Sequence, residues 1–111
     1  MSADDKNLKE VERTYKLIKG SFDTAYQNCE TDEQKERLIV LRDAARDAYF
    51  KGIAENLSDS HDLVKETIKE LGAKNDEIQK ALKSLKDISA FLNIVTAGVK
   101  LAAAVVTLAA V

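Results

Sequence analysis

An apolar residue recurs at every seventh position through the second half of this chain: Val64, Leu71, Ile78, Leu85, Leu92, Val99 and Val106. At 3.6 residues per turn that repeat places all seven on one helical face, whereas a strand would alternate with a period of two. Ile68, Leu82, Ile88 and Val95 broaden the same face. The chain has no proline and only four glycines, so little punctuates the pattern.

The first half repeats the theme. Leu8, Val11, Tyr15, Ile18, Phe22, Ala25 and Cys29 alternate in steps of three and four, which predicts a helix over about 3–29. Gly20 lies off this seam and is tolerated there at about 1 kcal/mol. In "ETDEQKERL", Thr31 and Gln34 form a capping box, and Asp32 and Glu33 suit the positive end of a helix dipole. A second helix follows over about 31–57, with Leu38, Leu41, Ala45, Ala48 and Gly52 as its seam. Ile39, Val40, Tyr49 and Ile53 widen its apolar face. "NLSDSHD" is the next turn, where Ser58, Asp59 or Ser60 can cap a third helix over about 60–111. Unbroken, that helix would run roughly 75 Å against roughly 40 Å for each of the others. The continuous register argues for one helix. Gly72, with Asp76 and Gln79 behind it, marks 72–76 as the place where it would break. The expected fold is all-α and forms a single helical domain. It is an antiparallel three- or four-helix bundle, or a helical hairpin, with a long apolar C-terminal helix.

The position after each heptad residue is polar or glycine: Lys65, Gly72, Gln79, Lys86, Asn93, Lys100 and Thr107. Around that stripe the surface changes at Asp87. All 19 acidic residues lie at or before it, and of 17 Lys and Arg only Lys100 follows. Outward positions become Ala90, Ile94, Ala97, Leu101, Ala104 and Leu108. A helix apolar nearly all round requires cover, from protein or from lipid. Burial as a central helix of the bundle is the leading expectation, with Lys100 laying its stem on the surface and its head in water. The stretch 88–111 would span about 36 Å, enough for a bilayer core of about 30 Å. Lys100 at its centre costs roughly 2.5–3.5 kcal/mol on insertion, which large apolar residues offset at about 0.3–0.6 kcal/mol each. The balance is marginal and fits conditional insertion better than a permanent anchor. In an assembly of several copies, Asn93, Lys100 and Thr107 would face a shared aqueous lumen. Gly98 and Ala102 form a small-xxx-small pair suited to close helix contact. In outline, though without a shared motif, the layout resembles helical pore-forming proteins.

Nothing in the chain spells out chemistry. His61 is the only histidine, and with Asp59 and Asp62 it reads as a solvated helix start rather than a metal or acid–base site. There is no phosphate loop, HExxH or GxSxG, and no Glu stands three residues before the histidine as a di-metal bundle would require. No catalytic, cofactor or metal residue is expected. One cysteine excludes an internal disulfide, and Cys29 reads as a small apolar helix-end residue. The sequon at Asn56 to Ser58 is read as chance, and the polar, acidic start lacks the pattern of a secretory signal, so the expected location is cytoplasmic. A net charge of -2 and 5 % aromatic content argue against a nucleic-acid partner. The expected function is therefore non-enzymatic helix-mediated association, with a helical partner or a second copy. Conditional membrane contact is the alternative. The face expected to mediate either is Ile88, Phe91, Leu92, Val95, Val99, Leu101 and Val106, flanked by the polar stripe Asn93, Lys100 and Thr107.

Overall fold

The computed structural model describes residues 3–54 and 62–109, with side chains from residue 8 onward. These form an all-α bundle of four helices: α1 (Ala3–Asn28), α2 (Asp32–Ala54), α3 (Asp62–Ala81) and α4 (Ile88–Ala109). The helices alternate in direction, and the bundle measures 42 × 22 × 20 Å. It consists of two hairpins laid side by side. α1 and α4 form the short diagonal, and α4 packs on all three other helices, while α2 and α3 do not meet.

The local rules are visible at the first turn. The Gln34 amide nitrogen donates to Thr31 Oγ1 at 3.1 Å, and Gln34 Oε1 accepts from the Glu30 and Thr31 amides at 2.7 and 3.3 Å. This capping box satisfies donors that the start of α2 would otherwise leave unpaired. Beside it, burial pushes the Cys29 thiol up from its ordinary range, with Lys35 pulling the other way.

The core has two parts. Ile18, Leu38, Ile78, Leu92 and Val95 centre one, and Val11, Val64, Leu71, Val105 and Val106 centre the other. Each fully buried side chain of this size contributes about 1.5–3 kcal/mol relative to exposure.

The long third helix of the sequence reading is replaced by two. The chain stays helical through Gly72 and turns at 82–87 instead of 72–76. Asp76 and Gln79, read as a helix start, sit inside α3, where both accept from Arg13 on α1. A continuous helix would carry its apolar second half beyond the other helices. Folding back at 82–87 places α4 among them, and that burial outweighs a few lost helical hydrogen bonds. The turn is closed locally: the amides of Lys83 and Ser84 donate to the carbonyls of Lys80 and Ala81, and Asp87 caps α4 by accepting from the Ala90 amide at 3.1 Å. The sequence expectations at Asn56 to His61 lie outside the described residues.

Candidate interaction site on the C-terminal helix

α4 is set apart by its composition. Its most apolar 18-residue window has a mean hydropathy of 1.9, and it is long and apolar enough to cross a membrane by length and composition. Its single charge is Lys100.

Six of the seven residues expected to form an interaction face are the bundle's own core. Ile88, Phe91, Leu92, Val95, Val99 and Val106 are all buried against α1, α2 and α3, and only Leu101 is half exposed. In the closed bundle this face is occupied. Gly98 and Ala102 are buried with it. A Cβ on Gly98 would come to 3.0 Å from Ile78 Cδ1 on α3, so that glycine sets how closely α3 approaches.

The polar stripe faces outward in the bundle. Asn93, Lys100 and Thr107 are exposed. Arg37 of α2 donates to Asn93 Oδ1 at 3.0 Å and to Thr96 Oγ1 at 2.8 Å, tying the stripe's first turn to α2. Further along, Thr107 borders a shallow groove of about 280 Å³ between α2 and α4, floored by Ala44, Ala48 and Ala103. Lys100 has no carboxylate within ion-pairing distance among the described residues.

Between the stripe and α3 lies a second apolar strip. At 100° per residue, Ala90, Ile94, Ala97, Leu101, Ala104 and Leu108 fall on one flank of α4. Ile94 and Leu101 lean onto the core beside α3, Ala97 and Ala104 are half covered, and Ala90 and Leu108 are exposed. Only 44 % of the apolar window is buried in total. The strip alternates small and large residues in steps of four and three, the spacing of a second heptad seam.

Among the described residues, no group of three His, Cys, Asp or Glu side chains is placed to hold a metal ion. The sequence reading assigned no role to Arg37. Its partners lie 56 and 59 residues away, and no local pattern announces them. No known protein family, curated protein or solved structure matches this chain.

Proposed function

We propose that this chain is a non-enzymatic helical bundle that acts by helix-mediated association, with a helical partner or a second copy, through the outer flank of α4. The supporting observation is the incompletely covered strip from Ala90 to Leu108. A bundle helix needs one apolar face for its own core, and α4 has that face and a further heptad seam beside it. Alternating alanine and leucine-sized residues suit the close approach of another helix. Light scattering over a concentration series tests the reading, with Ala97→Glu as the seam variant. Association that weakens in the variant, at unchanged helicity, is expected. A monomer at every concentration that binds no apolar dye would sink the reading.

The length and hydropathy of α4 favour a second reading, conditional membrane insertion. In it, the other three helices shelter α4 until a bilayer replaces them. Release of dye from vesicles, abolished when residues 88–111 are removed, is the expected signature. Leakage unaffected by that removal excludes it.

A further inference from the structure

We propose that this chain dimerises by exchanging α4. The turn at 82–87 straightens, α3 and α4 become one helix, and each α4 takes its place in the bundle of a second copy. This goes beyond the association assigned to the outer flank of α4 and does not rest on it, because the exchange uses the inner face.

The turn is built from helix-forming residues. Leu82, Lys83, Leu85 and Lys86 favour a helix, the segment has no glycine or proline, and no described residue adopts a positive φ. The Leu82 amide still donates to the Ile78 carbonyl at 3.0 Å, in helical fashion. Lys83 and Ser84 then shift to the carbonyls three residues back, each at 3.2 Å, and α3 ends. The amides of Leu85, Lys86 and Asp87 enter no backbone hydrogen bond among the described residues. The local stop is the Asp87 cap on α4. Straightening gives these amides helical partners.

The register points the same way. Val64, Leu71 and Ile78 are buried on α3, Leu92, Val99 and Val106 on α4, and Leu85 carries the seven-residue step across the turn. A hairpin does not need that agreement, because α3 and α4 meet the core from different sides and the turn can reset the phase. A straight helix does need it, because one face must line two cores in succession. From Asp62 to Ala109 such a helix is about 72 Å long. The bundle's longest dimension is 42 Å, so the second half of that helix stands clear of its own bundle.

The seat that α4 leaves is cut to α4, and a second copy offers the same seat. Ile78 Cδ1 lies 3.0 Å from where a Cβ on Gly98 would stand, and Arg37 ends on Asn93 and Thr96. Exchange remakes each of these contacts between chains. A straightened chain alone would expose the ten buried residues of α4, so straightening and pairing occur together. Two bundles then stand end to end about a twofold axis near Leu85, an isologous arrangement that closes on itself. Leu82 and Leu85, half-buried beside the core of the monomer, meet their counterparts at that axis.

The test is light scattering of the full chain over a concentration series, followed by electron–electron distance measurement on the dimer. Spin labels go on Lys69→Cys and Thr107→Cys, two exposed positions, in a Cys29→Ala background. The labelled chain is refolded with excess unlabelled chain, so that only the distance within one chain is read. A straight helix sets these positions about 57 Å apart. In the hairpin, helices packed about 8–10 Å apart hold them within roughly 30 Å. A dimer showing the long distance is expected. A dimer showing the short distance is association without exchange and overturns the proposal, as does a monomer at every concentration. Ser84→Ala/Asp87→Ala removes the cap and favours a helix through the turn, and should raise the dimer-to-monomer ratio about tenfold or more. Ser84→Gly/Lys86→Gly keeps the cap and should lower it about tenfold. Circular dichroism confirms that both variants stay helical. Equal ratios in the two variants overturn the proposal.

Discussion

The Thr14 hydroxyl on α1 donates to Asn75 Oδ1 on α3 at 2.8 Å, and both side chains are completely buried. The Asn75 amide nitrogen donates in turn to the Glu10 carbonyl and to Glu10 Oε1, each at 3.0 Å. Every polar atom of the Asn75 side chain is therefore partnered inside a largely apolar core. A buried, fully satisfied asparagine fixes helix register, because sliding by one turn would strand its hydrogen bonds in the core. Asn75→Ala should cost about 1–3 kcal/mol in urea unfolding, since it removes the hydrogen bonds that join α1 to α3 and leaves a cavity, the Thr14 hydroxyl keeping only the Glu10 carbonyl at 3.0 Å. The double variant Thr14→Val/Asn75→Leu removes both partners and should be less destabilised than the two single changes added together. Additive losses would show that the pair is not coupled.

The glycines predict opposite outcomes. Gly20 lies inside α1, and a Cβ there meets nothing within 4 Å, so Gly20→Ala should stabilise by about 0.5–1 kcal/mol through helix propensity alone. At Gly98 a side chain runs into the buried Ile78, and Gly98→Leu should destabilise by about 1–3 kcal/mol from overpacking. Thermal unfolding of both variants checks this. Equal effects at the two positions would contradict the close approach of α3 and α4.

These contrasts show which parts of the fold were legible in the sequence. The capping box at Thr31 and Gln34 and the buried seam from Leu38 to Gly52 were readable because each depends on residues within a few turns. The turn at 82–87 was not. It contains no glycine or proline, and Leu85 keeps the heptad in step through it while packing against the core. The need to cover α4 decides the turn, and that need belongs to the whole bundle. For the same reason the need of α4 for cover was legible, with burial inside the bundle as the leading expectation, while the particular side chains of α1, α2 and α3 that supply the cover were not. Thr14 and Asn75, 61 residues apart, look in sequence like ordinary polar positions.

Tyr49 and Glu12 link α2 to α1, the phenol donating to a Glu12 carboxylate oxygen. The bond holds Glu12 below the usual carboxylate range and pushes the Tyr49 phenol up. A depressed carboxylate stabilises above its unfolded pKa of about 4.3, and the contribution is lost as pH falls through the folded value. A raised phenol stabilises below its unfolded pKa of about 10, and the contribution is lost as pH climbs through the folded value. The pair should therefore act between about pH 4.3 and 10 and fade on both sides. Tyr49→Phe should cost about 0.5–1 kcal/mol at neutral pH, the lower range reflecting partial exposure. It should also flatten both limbs of the stability–pH curve. An unchanged acid limb in the variant would refute the assignment.

Lys100 separates the two readings of α4. It is exposed on the bundle and pairs with no carboxylate among the described residues, so Lys100→Leu should leave urea unfolding within about 0.5 kcal/mol of the parent. In a bilayer the same change replaces a central charge with an apolar group, which favours insertion by about 3–4 kcal/mol, or more than about a hundredfold. If α4 inserts, the variant should float with neutral liposomes far more readily than the parent, and Lys100→Glu should alter the ion preference of any conductance. If α4 only packs against another helix, Lys100→Leu should change association through the neighbouring strip and leave flotation untouched. Flotation of the variant at the parent's level would therefore remove the membrane reading and leave helix association standing.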